Sequence, residues 1–403
     1  MRKIFLLIPA LLPLLAGAQM LPAELCQGSR RPYPEPDSIV AAPDSLVAVM
    51  INHIGRHGAR YATSPKRFAD ITDAMTNADL TPFGEKVLSS VNNAVNVTDG
   101  RWGELDSLGQ AEQRGIARRL CLAYPQLVIG QNISAISSYV GRCVASMDAF
   151  TSTVRRFQSG LGSVRTQSGR QFNRLMRFFQ TDSAYVRWAA EKPYKTVLDE
   201  FTSKTTPGAR LTDRVFRTLP ENLDPEKFDA DLYYCLSSQS AMGLPLTSMN
   251  LLTADEMNRL WQIDNLRQYL SRTSSTVSTL PADIAAPLLL DLIRSTDDFI
   301  AGRSTETVRL RFGHAETLMP LLSLMRLPDC YYLTHYFDTV SAHWKTWHVV
   351  PMASNLQMIL FRSPASGRHY VRLDLNERPV AIDGLTYIPW ERLRAHLLSL
   401  LPA

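Results

Sequence analysis

Ile51-Asn52-His53-Ile54-Gly55-Arg56-His57-Gly58-Ala59-Arg60 is the stretch on which the reading of this chain turns. An apolar run over 46–51 leads into it and reads as a buried strand, and Ser64-Pro65 beyond it, a polar cap and a proline, opens a helix. The stretch therefore lies where a strand hands over to a helix. In open α/β sheets, ligands bind at that place, outside the carboxyl ends of the strands. Within five positions it gathers two guanidinium groups, an imidazole, and a glycine that lets backbone approach a bound group. Arginine presents a planar fork of donors matched to phosphate oxygens, and histidine can act as nucleophile or base near neutral pH. Arg-His-Gly-x-Arg thus reads as a phosphate cradle with a candidate nucleophile, His57, inside it.

The same geometry recurs twice further along. Val308, Leu310 and Phe312 alternate with Arg309 and Arg311 as in a strand, which ends at His314-Ala315-Glu316-Thr317, with a helix expected over 317–325. A short strand over 133–139 ends at Gly141-Arg142, followed by a helical stretch to 150. A cation at a helix start is disfavoured by the helix dipole, so Arg142 is better explained by a bound anion than as a surface residue.

These residues carry a resemblance. Residues 56–60 resemble the signature loop of the histidine phosphatase superfamily, and His314-Ala315-Glu316-Thr317 is similar to its second signature, about 260 residues later and in the expected order. The pairing resembles the multiple inositol-polyphosphate phosphatase subgroup, in which His-Ala-Glu replaces the His-Asp of related acid phosphatases. What the resemblance implies is an α/β fold with a phosphoglycerate-mutase-like central sheet flanked by helices, and an inserted, mostly helical lobe capping the site. It implies phosphomonoester hydrolysis through a phosphohistidine, with His57 as nucleophile and Glu316 as proton donor. Arg56, Arg60, Arg142 and His314 would cradle the phosphoryl oxygens. A carboxyl beside a phosphate dianion is expected to have its pKa raised, which would keep Glu316 protonated at mildly acidic pH.

Where the family loop continues to a proline, this chain has Ala62, which lacks proline's stiffness but loses no reactive group. Tyr61 and Thr63 fit the subgroup. Thr63, Lys66 and Arg67 are candidate contacts to further substrate phosphates, with a plain helix-cap role for the segment as the alternative. Leu105-Asp106-Ser107-Leu108-Gly109 loosely echoes a family motif.

The remaining chain sets bounds. At 403 residues, 45% apolar and 20% charged, it can bury a large core. The expected division is an α/β catalytic domain of 19–62, 100–165 and 300–403, and a helical cap lobe of 63–99 and 166–299. Helices are expected over 109–124, 254–270, 284–300 and 390–401, and a strand pair over 355–361 and 370–375. Arg2 and Lys3, the apolar run over 4–15 and Ala16-Gly17-Ala18 read as a signal peptide over 1–18. Export follows, to the periplasm if the source is a Gram-negative bacterium and otherwise to the extracellular space, with no membrane span in the mature chain.

The formal charge of +5, or +3 once Arg2 and Lys3 are removed, is too mild to argue for nucleic acid. Five cysteines, an odd number without close pairs or zinc-like spacing, read as buried structural residues, with at least one free or paired between chains. No metal or cofactor is expected. His53, His335, His343, His348, His369 and His396 lack basic company and are read as structural or surface residues. From 149 to 180 there is no Asp or Glu, while six arginines, Arg155, Arg156, Arg165, Arg170, Arg174 and Arg177, fall in the window. Such a run suits a polyanionic small molecule or a solvated helix face. The expected function is a secreted phosphatase of inositol hexakisphosphate (phytate) and lower inositol phosphates. The alternatives are a broad-specificity histidine acid phosphatase acting on sugar phosphates and other monoesters, and a non-catalytic exported phosphate-binding protein.

Overall fold

The computed structural model describes residues 20–206 and 210–402, so the leader expected over 1–18 lies outside the described residues. Eight strands form one sheet: β1 (Val47–Arg56), β2 (Asn132–Ser137), β3 (Ser163–Ser168), β4 (Glu306–Gly313), β5 (Asn355–Arg362), β6 (His369–Leu375), β7 (Arg378–Val380) and β8 (Ile388–Pro389). Their order is β3-β2-β4-β1-β5-β6-β7, with β8 paired to β6. The first four run parallel, whereas β5 is antiparallel to β1, and β6 to β5. A mixed sheet flanked by helices is the expected fold class.

Alternation along each strand separates the two faces. Ile51, Val308, Leu310, Phe312, Ile359 and Phe361 pack against Ile116, Leu120, Met147, Phe150 and Val154 from the helices Ser107–Ala123 and Gly141–Phe157. Met50, Ile54, Leu356, Met358 and Leu373 face the opposite way. They meet Leu288, Leu289 and Leu292 of the helix Ala286–Ile300, Leu318 and Leu322 of the helix Ala315–Leu324, and Leu393 of the closing helix Trp390–Ser399. A third cluster joins Phe68, Ile71 and Met75 of the helix Lys66–Met75 to Val87 and Val91 of Pro82–Thr98, and to Phe228, Leu232 and Trp261 from later in the chain. Helix starts follow their caps: Thr81 accepts from Gly84 N–H, Asp106 from Leu108 N–H, and Thr253 forms a capping box with Glu256.

The strand Ser163–Ser168 has no counterpart in the sequence reading. Its residues are Ser, Val, Arg, Thr, Gln and Ser, half-buried or exposed at the sheet edge, so no apolar alternation announces it. It also divides the basic run: Arg165 pairs with Glu306, and Arg155 bonds Thr151 and the Val164 carbonyl. All five cysteines are buried and unpaired. Among the described residues no helix is long and apolar enough to cross a membrane.

Two buried polar arrangements hold the frame. Arg372 and Asp374 pair at 2.7 Å on β6, both almost fully shielded from solvent, with Tyr124 Oη also accepting from the guanidinium at 2.8 Å. Glu112, on the helix Ser107–Ala123, accepts from Tyr33 N–H at 2.7 Å and from Ala59 N–H at 2.6 Å, tying the loop after β1 to the N-terminal segment. Burial pushes the Glu112 carboxyl up to about 7, against the pull of both N–H donors and of Arg56.

Two predictions follow from these groups. Asp374→Leu strands the Arg372 charge in the interior and should lower the unfolding free energy by about 3–5 kcal/mol, read from urea denaturation. For Glu112, a folded pKa above the unfolded value of about 4.3 means that the fold holds this proton more tightly. Its stabilisation is complete below the unfolded value and is lost as pH rises through about 7. The thermal midpoint should therefore fall between mildly acidic and alkaline pH, with a shallower fall in Glu112→Gln; equal slopes in the two proteins would remove Glu112 as the cause.

Candidate active site

Three neighbouring parallel strands deliver the site at their carboxyl ends. The β1–β4 register sets Arg56 beside Gly313, and His57 N–H donates to the Gly313 carbonyl at 3.0 Å. The next residue on each strand is a histidine. The two imidazoles, His57 and His314, lie 5.8 Å apart between centroids with their planes at 74°. On the other side of β4, Ser138 N–H donates to the Phe312 carbonyl, and the helix Gly141–Phe157 then carries Arg142. Segments far apart in sequence converge because their strands are adjacent in the sheet.

His57 is buried, and its Nδ1 lies 2.9 Å from the Gly58 carbonyl, a contact that places the proton on Nδ1 and leaves the Nε2 lone pair available. Burial first, then Arg142, Arg56 and Arg60, hold its pKa well below the ordinary histidine value, so the ring is uncharged in mild acid. His314 is held down to about 3 by burial and then Arg142, with Glu316 opposing. Its Nε2 meets Arg177 Nη1 at 2.7 Å and Ser138 Oγ at 3.0 Å, and its Nδ1 lies 3.4 Å from Arg142 Nη2.

The arginines are packed as a cluster of like charge. Arg56 gives Nη1 to the carbonyls of Ser29 and Val350 at 2.6 and 2.7 Å, and Arg60 gives Nη1 to the Tyr61 carbonyl at 2.9 Å. Burial and then Arg60 pull the Arg56 guanidinium down to about 9. Arg56, Arg60 and Arg142 each bury an Nε that has no protein partner. Buried donors without acceptors are rare, and three of them around one imidazole suit an anion with several acceptor oxygens.

Glu316 opens the helix Ala315–Leu324, and its side chain is 34% exposed. Arg272, at the end of the helix Ala254–Arg272, holds it at 2.8 Å. Burial would raise its pKa, but Arg272 and then His314 overcome that and carry it down to about 2. The sequence reading expected a raised value beside a phosphate dianion; among the protein's own groups the balance runs the other way.

The space at Gly58, read from sequence as room for a bound group, is taken by protein. A Cβ there would overlap the backbone of Gly109, and one at Gly109 would overlap that of Ala59. The faint motif at 105–109 is therefore a contact surface for the loop. Ala62, in the family's proline position, is fully buried, and the loop is stiffened by pairing instead. Asp106 N–H donates to the Ala59 carbonyl, Tyr61 N–H to Glu104, and Gly103 N–H to Ala62.

Among the further candidates, Lys66 is exposed and pairs with Asp70 at 3.1 Å. Arg67 pairs with Asp231 at 3.3 Å and stacks 4.4 Å over Tyr234, which lies near Thr63 and Arg60. A cleft of about 500 Å³ lined by Thr63, Trp102, Gln110 and Arg142 adjoins the cradle. Arg177 comes from the basic run, but Arg272, Ser138 and Glu112 carry no motif that would have marked them. His53 is buried between Phe150 and Phe312, and His343 stacks on Tyr332, both away from the cradle. No cluster of metal-ligating side chains occurs among the described residues.

The chain is 25% identical to multiple inositol polyphosphate phosphatase 1 of Homo sapiens, covering 94% of this chain and 84% of that protein. Its fold matches the multiple inositol polyphosphate phosphatase of Bifidobacterium longum, crystallised with inositol hexasulfate, at a TM-score of 0.74 and 17% identity over 93% of this chain and 97% of the other. It also matches the phytase of D. castellii at a TM-score of 0.73 and 14% identity, over 96% and 88%. The sequence profile of the histidine phosphatase superfamily (branch 2) spans residues 49–376, and the chain belongs to that family.

Proposed function

We propose that this protein hydrolyses the phosphomonoesters of inositol hexakisphosphate and lower inositol phosphates through a phosphohistidine on His57. The observation that carries the reading is the pair of imidazoles at adjacent strand ends, ringed by three arginines that each bury an unpartnered Nε. The names of the relatives supply the substrate class.

In this reading Arg56, Arg60, Arg142 and His314 bind the phosphoryl oxygens and neutralise the charge that spreads over them in the transition state. His57 Nε2 attacks phosphorus in line. The bond from phosphorus to the ester oxygen breaks, and Glu316 gives that oxygen its proton. Water then attacks the phosphohistidine while Glu316 takes the water proton, which restores the His57 lone pair and the protonated carboxyl of the reacting complex. The low pKa of His57 serves the first step, because only an uncharged ring has a lone pair to offer.

Thr63 and Arg67, grouped around Tyr234 near Arg60, support contacts to a second phosphate, and Lys66 would act from the surface. Export belongs to the same proposal and rests on the leader-like pattern over 1–18. So does a cap lobe of 63–99 and 166–299 over a catalytic domain of 19–62, 100–165 and 300–403. The separate apolar cluster around Phe68, Val87 and Trp261 supports it, while the helix Ala286–Ile300 packs with the sheet.

His57→Ala should abolish phosphate release from inositol hexakisphosphate while the circular dichroism spectrum stays unchanged; retained turnover would exclude His57 as nucleophile. Glu316→Gln should slow inositol phosphates by about 10²-fold or more while slowing an activated aryl phosphate far less. Equal losses on both would exclude Glu316 as the acid. A timed chromatogram of products from inositol hexakisphosphate tests the substrate class directly.

A further inference from the structure

Arg272 differs from the other arginines at the site in what it touches. Arg56 and Arg60 give their Nη1 atoms to backbone carbonyls, and Arg142 and Arg177 meet the His314 ring. Arg272 alone among these five is ion-paired to a carboxylate, with Nη2 2.8 Å from Glu316 Oε1. Gln268, one turn earlier on the same helix, takes Nη1 at 2.9 Å, and Tyr185 Oη donates to the neighbouring Ser271 carbonyl at 2.9 Å. The guanidinium is thus held from behind, with its forward edge on the group that must give up a proton. A carboxylate bonded to arginine has no proton to give.

We propose that Arg272 exchanges Glu316 for the incoming phosphoryl group, so that the substrate's own phosphate proton passes to Glu316 as the pair opens. This inference rests on the phosphatase reading above and specifies where the acid obtains its proton. Near pH 5 a phosphomonoester is largely the monoanion, because its second ionisation lies at about 6. The monoanion, a carboxylate and a guanidinium become a dianion on Arg272 and a neutral carboxyl on Glu316, and total charge is unchanged. When His57 Nε2 bonds to phosphorus and the ester bond breaks, that proton goes to the departing oxygen. The exchange couples protonation of the acid to arrival of the phosphate, and the dianion gains a further arginine as it gives up its proton.

The charges facing Glu316 agree with this role. Arg272 comes from the end of its helix, His314 from the residue before Ala315, Arg56 from the end of β1, and Arg142 and Cys143 from the helix Gly141–Phe157; Tyr185 faces it from the helix Ser183–Glu191. Burial favours the neutral acid, and Arg272 is the largest opposing influence, so that its removal moves the carboxyl upward.

The test is the pH dependence of kcat/KM for 2-glycerophosphate in wild type, Arg272→Gln and Arg272→Lys. In wild type the acid limb should lie at about 3 or below, where His314 and then Glu316 take up protons, and the alkaline limb should follow the phosphate ionisation at about 6. In Arg272→Gln the carboxyl is already protonated in mild acid, so the monoanion keeps its proton and the reacting pair of phosphate dianion and neutral carboxyl is not formed there. Its acid limb should rise by about one pH unit or more, with roughly tenfold lower kcat/KM for each unit below it, and KM should rise as well. Arg272→Lys should bring the limb back toward the wild-type position. With 2,4-dinitrophenyl phosphate, whose leaving group needs no proton, the displacement should vanish.

A Gln profile of wild-type shape at lower height would overturn the proposal, since a purely structural role scales the rate without moving its limbs. If Arg272→Gln does not fold, Gln268→Leu, which loosens the guanidinium's rear anchor, must raise the limb by a smaller amount, and an unmoved limb overturns the proposal equally. A wild type without turnover would overturn the phosphatase reading together with this inference, whereas wild-type turnover with unmoved limbs defeats the inference alone.

Discussion

The parallel pairing of β1 with β4, in the register that sets Arg56 beside Gly313, is the constraint on which the site depends. Each strand ends in the residue before a histidine, so one pairing fixes the separation of two imidazoles that are about 260 residues apart in the chain. A two-residue change of register would keep every side chain on its proper face of the sheet but would displace one ring by nearly 7 Å. The apolar alternation of Ile51, Val308, Leu310 and Phe312 therefore determines which face is buried. The choice among same-face registers is left to more specific contacts, of which the His57 N–H to the Gly313 carbonyl is one.

The site concentrates positive charge in a place that disfavours it. Arg56 is nearly inaccessible and lies close to Arg60, Arg142 and Arg272. The fold tolerates this through oriented dipoles, chiefly the carbonyls of Ser29 and Val350 on Arg56 and of Tyr61 on Arg60, and through the carboxylate of Glu316. Those partners satisfy part of each guanidinium and leave the three Nε atoms unpaired. A bound phosphate would supply acceptors for them and offset the mutual repulsion. Burial, and then the same repulsion, keep both imidazoles uncharged, so that binding and nucleophilicity arise from one buried arrangement.

How much of this was legible in the sequence depends on whether a feature is local. The strand ends at Arg56 and Gly313, the helix after Arg142 and the strand pair Asn355–Arg362 and His369–Leu375 all come from periodicity and turn residues within a short window. The three arginines and two histidines of the cradle were named from their motifs, and the structure brings them together. Arg272 was not legible, because a helix-terminal arginine looks the same whether it faces water or a carboxylate. Nor was the role of Gly58, since its neighbour Gly109 is distant in sequence and belongs to a different element. The strand Ser163–Ser168 escaped because a polar edge strand has no buried face to impose alternation.

Ala62 shows how a local rule can fail while its purpose is kept. Proline would stiffen the loop by fixing one backbone angle, an effect internal to the loop. In this chain the loop is instead held from outside: residues 59–62 bond to residues 103–106, Glu112 takes the Ala59 N–H, Ser146 takes the Gly58 N–H at 3.1 Å, and Gln113 bonds the Arg56 carbonyl at 2.9 Å. Most of these partners lie on or next to the helix Ser107–Ala123, which packs on the sheet through Ile116 and Leu120. The position of His57 is therefore set by the packing of that helix as well as by β1. Rigidity that proline would have supplied within one residue is distributed over an element belonging to the core, and the two close glycines mark where loop and helix meet.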